Sequence, residues 1–147
     1  LKPKDARSYE PAAICNGESA EIVEFLMSLK NPDELIIKSI KSSVRWFENS
    51  KILGIKIKTI DAPHYEYKYR NSDNDKIVVE DPNAKPIWAR YYSLETHIPI
   101  FCNRDGKIVY SFSEVERERR IGYAWYVYDP QEVLDKYPTW LKLINEN

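Results

Sequence analysis

The sequence predicts one mainly α-helical unit, in which helices near both ends flank short β-strands and much irregular chain. Apolar residues recur at helical spacing in the first third of the chain and near its end, whereas they alternate only over short runs in between. The 147 residues suffice for one compact domain or for a large piece of a bigger one. An apolar content of 43% excludes a disordered chain.

Capping residues and apolar stripes predict the helices. Asn16 or Ser19 can cap a first helix, and Asp33 can cap a second one after a short turn, so that the two form a helical hairpin. A last helix begins at Asp129, and Pro138 can break it. The apolar stripes are Ile22, Val23, Phe25, Leu26 and Leu29 in the first helix and Ile36, Ile40, Val44 and Phe47 in the second.

The middle of the chain predicts short strands separated by loops. Residues 55–59 alternate isoleucine and threonine with lysine, which predicts a strand with one solvent-facing side. Residues 77–79 predict a second short strand, and the polar, tyrosine-rich residues 63–75 between the two predict a loop. The segments 88–92 and 107–112 are expected to be extended.

A short, highly charged helix is predicted after these strands. Ser113 and Glu116 have the spacing of a capping box, and Gly122 ends the helix. Its arginines alternate with glutamates, which is typical of ion pairs on a solvated face, although some could instead point into a cleft. These arginines are Arg117, Arg119 and Arg120.

The charge balance excludes several classes of partner. With 22 basic and 23 acidic residues the net charge is −1, so no overall field attracts nucleic acid or an anionic membrane. No apolar run reaches the length of a membrane span. We therefore expect neither a nucleic-acid partner nor a membrane partner.

The histidines and cysteines lack the spacing of a metal site. His64 and His97 lie far apart without carboxylate-rich surroundings, and Cys15 and Cys102 match no zinc pattern. We therefore predict no metal ligands in this chain. The two cysteines could form a disulfide in an oxidising compartment or remain buried thiols, and the sequence leaves both open.

Aromatic residues and arginines between positions 81 and 126 are the first sign of a function. The chain holds 11 Tyr and 4 Trp, whose rings combine an apolar face with a polar group. Arg90 follows an aromatic residue closely and Arg104 lies in a tight turn, where a guanidinium can be held to bind a carboxylate. These residues could line a groove that binds an acidic sugar polymer. The commoner case is that such residues belong to an ordinary core and surface.

Six longer motifs occur in order along nearly the whole chain, and together they resemble the polysaccharide lyase family 10 pectate lyases. Several long motifs in the correct order are far more specific than any single short pattern. The motifs are ARSYEP at 6–11, GESAEIVEFLMS at 17–28, VRWFENSKILGIKI at 44–57, VVEDPNAKPIWARYY at 78–92, PIFCNRDGKIVYS at 99–111 and ERRIGYAWY at 118–126.

The resemblance implies a fold and a domain organisation. The catalytic module of these enzymes resembles an incomplete (α/α) toroid, and residues 1–147 look like the C-terminal half of that module. The expected fold class is therefore mainly α with short β-strands and much irregular coil. The N-terminal half is expected to lie outside this chain and to accompany it as a companion chain.

The resemblance also implies an activity, a cofactor and a location. Family members are secreted enzymes, extracellular or periplasmic, that cleave polygalacturonate (pectate) by β-elimination with the help of Ca²⁺. The calcium ligands of the family lie mainly in the N-terminal half. This chain alone is therefore expected to lack the metal site and to need that half for activity.

Three arginines receive roles from the resemblance. By motif position, Arg104 in the NRDG turn is the base that removes the proton, and Arg90 and Arg7 bind substrate carboxylates. Ile98 stands where family members commonly carry an arginine, which implies a weaker or different contact with substrate. A second reading therefore stays open, namely a non-catalytic module that binds acidic polysaccharide.

Overall fold

In the computed structural model, which describes residues 3–145, three longer helices pack together and the segments between them form antiparallel sheets. The helices are α1 (Asn16–Met27), α2 (Glu34–Ser50), α3 (Arg117–Gly122) and α4 (Asp129–Asn145). The strands are β1 (Ile14–Cys15), β2 (Ile55–Glu66), β3 (Asn71–Glu80), β4 (Trp88–Ala89), β5 (Tyr91–Tyr92), β6 (Pro99–Cys102), β7 (Ile108–Val109) and β8 (Tyr126–Val127). No helix within these residues is long and apolar enough to cross a membrane.

The predicted fold class, mainly α and half of an (α/α) toroid, is wrong. Helix accounts for about 38% of the structure and strand for about 27%, and residues 3–145 show no clear toroid of helices. Helices α1, α2 and α4 instead pack around one common core. The middle of the chain forms three antiparallel sheets, in the orders β1-β5-β6-β7, β2-β3 and β4-β8. The fold is therefore mixed α and β.

The predicted helical hairpin is present, but its two helices begin differently. Asp33 accepts a hydrogen bond from a backbone N–H three residues on at 2.8 Å, as expected of a cap. Helix α1 begins after Cys15 without a side-chain cap, and both Ile22 and Phe25 of its predicted stripe are exposed. The core shared by the three helices consists of Ala20, Val23, Ile40, Val44, Phe47, Val133 and Trp140.

Helix α4 runs unbroken through Pro138, contrary to the predicted break. Residues on both sides of the proline, Val133 and Trp140, are buried in the same helical core. This shared burial offsets the backbone hydrogen bond that a proline removes from a helix.

A second core lies around the four-stranded sheet and is rich in aromatic side chains. Its buried members are Tyr91, Ile100, Phe101, Cys102, Val109, Phe112, Val115 and Trp125. Cys15 and Cys102 are free thiols in this structure. Burial raises the pKa of the Cys15 thiol to about 12, so this thiol stays protonated and unreactive near neutral pH.

A long β-hairpin replaces the loop predicted for residues 63–75. Strands β2 and β3 pair antiparallel over most of their length, with one irregularity between Asp61 and Tyr65. The loop prediction is wrong because the outer part of this hairpin is polar on both faces. Such a strand lacks the apolar alternation that marks a half-buried strand in a sequence.

Helix α3 holds this hairpin against the rest of the protein through two arginines. The guanidinium of Arg117 donates to three backbone carbonyl oxygens near the hairpin irregularity. These acceptors belong to Pro63, Ser72 and Asn74, at 2.9, 3.2 and 3.0 Å. Arg120 forms a two-pronged ion pair with Asp75, at 2.9 and 2.5 Å. Charged groups thus fix the outer part of the hairpin, whereas Ile57 nearer its base packs against the aromatic core.

The solvated face predicted for the charged helix is therefore wrong. Glu118 is 8% exposed and Arg119 is 4% exposed. The predicted capping box is also displaced, because Ser111 and Glu114 form it at a 3-10 turn that precedes α3. Contacts with other segments of the protein, rather than ion pairs between residues of α3, therefore hold this helix in place.

We predict that Asp75→Asn lowers the free energy of unfolding by about 2–4 kcal/mol near neutral pH, because Arg120 loses the partner of its charge in a mostly buried pair. The hydrogen bond from Arg120 holds the pKa of Asp75 below its ordinary value. The contribution of this pair is therefore present above the unfolded-state pKa of about 4 and is lost as the pH falls through the lower folded-state pKa.

Urea unfolding at neutral and acidic pH measures both effects. Asp73→Asn is the matched control, because that carboxylate is 78% exposed and should contribute less than about 0.5 kcal/mol. Equal losses of stability in the two variants, or a loss in Asp75→Asn that persists at acidic pH, would contradict the proposed contribution of the Arg120–Asp75 pair.

Candidate functional site

The three arginines singled out by motif position come together at one place in the fold. Arg7 lies in a turn before β1, Arg90 lies between β4 and β5, and Arg104 lies in the turn between β6 and β7. The link between them is a pair of tyrosine rings, Tyr9 and Tyr123. Segments far apart in the sequence therefore build one arginine-rich site.

Tyr9 is the centre of this arrangement. The guanidinium carbons of three arginines lie close to its ring centroid, namely Arg7 at 5.1 Å, Arg104 at 4.9 Å and Arg119 at 4.8 Å. Each contact is within the range of a cation–π interaction. Tyr9 thus holds two of the three predicted site arginines.

Tyr123 extends the cluster to the third predicted arginine. Its ring centroid lies 4.5 Å from the guanidinium carbon of Arg119 and 5.1 Å from that of Arg90. Its hydroxyl donates to a carboxylate oxygen of Glu10 at 3.0 Å and lies 2.5 Å from the hydroxyl of Tyr91. The order Arg104, Tyr9, Arg119, Tyr123 and Arg90 therefore forms a continuous stack, which we call the arginine–tyrosine stack.

The turn that carries Arg104 requires a glycine. Gly106 has a φ of 88°, a conformation that residues with a side chain rarely adopt. A Cβ at this position would also lie 2.8 Å from the backbone oxygen of Ser8. The glycine thus lets the Arg104 turn approach the segment that carries Arg7 and Tyr9.

Backbone hydrogen bonds fix Arg90 between the two cores. Its N–H donates to the carbonyl of Trp125 at 2.8 Å, and its carbonyl accepts from the N–H of Asn16 at 2.9 Å. The buried side chain of Asn16 donates to the carbonyl of Ala89 and accepts from the indole N–H of Trp46. The first helix is thereby tied to the segment that carries Arg90.

Arg119 is a residue of the site that the sequence reasoning missed. It is 4% exposed and donates to the backbone carbonyls of Cys102 at 3.4 Å and Tyr9 at 3.3 Å. Burial, and then the nearby charge of Arg104, lower the pKa of Arg119 below its ordinary value. The sequence offered one signal, namely the alternative that some arginines of this helix point into a cleft. That alternative did not single out Arg119.

Each predicted arginine is paired with a glutamate of the same chain. The pairs are Arg7 with Glu10, Arg90 with Glu18 and Arg104 with Glu118. The Arg104 pair is two-pronged, because Nε donates at 3.2 Å and Nη2 donates at 2.7 Å to the Glu118 carboxylate. The hydrogen bond to Glu118 raises the pKa of Arg104 above its ordinary value.

The ion pair with Arg7 also changes the pKa of its partner, Glu10. The hydrogen bond from Arg7 holds the pKa of Glu10 below its ordinary value, and the hydroxyl of Tyr123 adds to this effect. Both carboxylate and guanidinium are therefore charged over a wide pH range. The pair supports the loop that presents Tyr9 to the stack.

A groove lies beside Arg104 at the tip of the β2–β3 hairpin. Its volume is about 470 Å³, and its walls are formed by Tyr67, Lys68, Tyr69, Arg104, Asp105, Glu116 and Glu118. The ring centroid of Tyr69 lies 4.7 Å from the guanidinium carbon of Arg104. A second groove of about 750 Å³, between the base of the hairpin and β6, contains none of the three predicted arginines and is mainly apolar.

The side chains of residues 3–145 do not fit a calcium site. Calcium requires six to eight oxygen ligands, with carboxylates prominent among them. Residues 3–145 contain no group of three or more acidic, histidine or cysteine side chains that could hold a metal ion. The glutamates of the arginine-rich site are instead each occupied by a guanidinium.

The site combines several guanidinium groups with tyrosine rings beside an open groove, which is the chemistry that binds sugars bearing carboxylates. The chain matches the pectic acid lyase family over residues 1–134. This match covers most of the sequence, so the chain belongs to the pectic acid lyase family, and the resemblance drawn from the motifs is confirmed.

Two solved structures are similar to this chain. One is a family 10 polysaccharide lyase from Cellvibrio cellulosa, and the other is a mutant of a family 10 polysaccharide lyase from the same organism in complex with trigalacturonic acid. Each is 25% identical, with a TM-score of 0.75 and 94% of this chain covered. This chain spans 39% and 40% of their respective lengths. No curated protein sequence is similar enough to this chain to count as a match.

We predict that Arg119→Met lowers the free energy of unfolding by about 2–3 kcal/mol, because the buried carbonyl of Cys102 and the part-buried carbonyl of Tyr9 each lose a guanidinium donor. Urea unfolding of this variant and of Arg45→Met, an exposed arginine on α2, measures the difference. Arg45→Met should change stability by less than about 0.5 kcal/mol. A similarly small effect in both variants would show that Arg119 does not hold the stack together.

Proposed function

We propose that this chain is the C-terminal segment of the catalytic module of a pectate lyase, which cleaves polygalacturonate by β-elimination. Family membership and the polysaccharide lyase structures similar to this chain support a lyase. The observation that carries the proposal is the convergence of Arg7, Arg90 and Arg104 on one arginine–tyrosine stack. Each of these arginines lies in a segment that carries a family motif.

The proposed chemistry explains why arginines are needed. β-Elimination removes the C5 proton of a galacturonate unit, breaks the bond between C4 and its oxygen and forms a double bond between C4 and C5. Negative charge develops next to a carboxylate that is already negative. Guanidinium groups that bind this carboxylate lower the barrier by stabilising that charge. We assign this role to Arg90 and Arg7.

We assign the removal of the C5 proton to Arg104, which must be neutral to accept it. The ion pair with Glu118 opposes this role, because it favours the charged form of Arg104. The neighbouring charge of Arg119 acts in the other direction, since like charges disfavour each other. Within residues 3–145, Nη1 of Arg104 has no carboxylate partner, so this nitrogen is the one proposed to face substrate.

Three further parts of the proposal concern calcium, a companion segment and the location of the enzyme. Calcium would be held mainly by an N-terminal half of the enzyme, which would act as a companion to this segment and would be needed for activity. The location would be extracellular or periplasmic, because the substrate is a polymer. Partial coverage of the similar structures supports a further segment of the enzyme.

The glutamate pairing favours a second candidate function, a non-catalytic module that binds acidic polysaccharide. A base that is held in its charged form by Glu118 binds carboxylates better than it removes protons. The exposed Ile98 also stands at the position of a family arginine. Affinity for polygalacturonate without any unsaturated product would identify this second function.

We predict that Arg104→Ala lowers the rate of product formation by roughly 10²- to 10⁴-fold, as expected for loss of a general base. The measurement is the ultraviolet absorbance of the unsaturated product from polygalacturonate, with added calcium and with chelator. The full enzyme is the sample, and Arg45→Ala is the control on an exposed helix surface. Unchanged activity in Arg104→Ala would exclude Arg104 as the base.

We predict that the rate rises with pH as Arg104 loses its proton, and that Glu118→Gln moves this rise to lower pH. The hydrogen bond from Glu118 raises the pKa of Arg104, so its loss lets the neutral form appear at a lower pH. Glu116→Gln is the matched control, because Glu116 accepts from the backbone N–H of Arg104 and not from its guanidinium. An unmoved profile in Glu118→Gln would indicate that Arg104 binds substrate without removing its proton.

A further inference from the structure

We propose that the tip of the β2–β3 hairpin, residues 67–70, binds a second uronate unit of the substrate next to the one at Arg104. In this role Tyr69 contacts the sugar ring and Lys68 binds its carboxylate. The inference rests on the proposed function, since it extends the substrate-binding site by one sugar unit. It also gives a role to a tyrosine-rich segment that the motif analysis did not use.

The position of the tip is the first argument. The backbone N–H of Tyr67 donates to the carbonyl of Arg70 at 2.8 Å, which closes the tip into a tight turn. The turn brings the ring centroid of Tyr69 to 4.7 Å from the guanidinium carbon of Arg104, although the two residues lie 35 positions apart in the sequence. The ring remains 60% exposed, so it is open to a ligand.

The tip is also held in place, which a binding wall requires. Arg70 lies 3.4 Å from a Glu118 oxygen, the same carboxylate that pairs with Arg104. Its guanidinium fills the space beside Gly122, where a Cβ would lie 2.2 Å from the guanidinium carbon. A glycine at the end of α3 therefore makes room for the arginine that fixes the tip.

The distribution of charge selects the ligand. The three carboxylates of the groove already accept hydrogen bonds from the protein: Glu118 from Arg104, Glu116 from the backbone of Arg104, and Asp105 from the backbone of Lys107. The ammonium of Lys68 lies 5.2 Å from the ring centroid of Tyr69 and forms no ion pair within residues 3–145. This cation is therefore available to an external carboxylate.

A uronate unit matches this pair of groups. Its ring offers an apolar C–H face that stacks on an aromatic side chain, and its carboxylate offers an acceptor for an ammonium. A groove of about 470 Å³ is within the usual range for ligand sites. A neutral sugar would use Tyr69 but would leave Lys68 without a partner.

The test is the affinity of galacturonate oligomers of increasing length for the whole chain, measured by calorimetry. For Tyr69→Ala and Lys68→Met we expect binding of a trimer to weaken roughly three- to tenfold, while binding of the monomer changes less than about twofold. A variant that merely destabilised the protein would weaken both ligands alike. Lys58→Met is the matched control, an exposed lysine on β2 of the same hairpin.

Gly122→Ala tests the position of the tip without changing its chemistry. The added methyl group displaces the flexible end of Arg70 rather than the backbone, so the fold should persist. We expect this variant to weaken trimer binding in the same direction as Tyr69→Ala. Thermal unfolding of each variant verifies that the fold is retained.

The outcomes separate this inference from the proposed function. If the trimer binds and the tip variants bind it as tightly as the control, the second uronate site is contradicted and the proposed function stands. If no oligomer binds to the unaltered chain, both the binding site at Arg104 and the tip site are contradicted. Equal binding of a methyl-esterified trimer would contradict the role of Lys68, because the ester carries no charge.

Discussion

The candidate site depends on one buried charge, the guanidinium of Arg119. A buried cation costs several kcal/mol unless polar groups compensate for the lost water. Here two backbone carbonyls accept its hydrogen bonds, and three aromatic rings lie within 5.0 Å of its guanidinium carbon, those of Tyr9, Tyr123 and Trp125. These compensating groups come from three separate segments of the chain. Burial of Arg119 is therefore satisfied only when the segments that carry Arg7 and Arg104 meet residues 123–125, and the backbone of Arg90 is hydrogen-bonded to Trp125 in that third segment.

The pairing of arginines with glutamates gives the site its second property. Each of the three predicted arginines has an internal carboxylate, which lowers the repulsion within this cationic cluster. A single external carboxylate gains little from competing with these glutamates. A polymer with a carboxylate on each unit gains from several contacts at once, because later contacts form at high effective concentration. Under the proposed function, the pairing would favour a polyanionic substrate over small acids.

The motifs singled out three arginines that lie together in the structure, whereas the roles assigned to them stay predictions. The motifs placed Arg7, Arg90 and Arg104, which the structure brings together, because motif residues are recognisable without knowing their contacts. The toroid was wrong because it was inferred from the resemblance to a whole catalytic module, whereas helices α1, α2 and α4 of this chain pack around one common core. The hairpin was missed because residues 63–75 are polar on both faces. Arg119 was missed because alternating charges resemble a surface helix, and its partners lie far away, up to 110 positions along the chain.

The central claim is that the three clustered arginines bind uronate carboxylates at one site. Nuclear magnetic resonance of the arginine side-chain Nε–H groups during titration with trigalacturonate tests it most directly. The account predicts that the signals of Arg7, Arg90 and Arg104 shift together along one saturation curve, while that of Arg45 stays unchanged. Shifts spread over all arginines, or separate curves for the three, would contradict a common binding site.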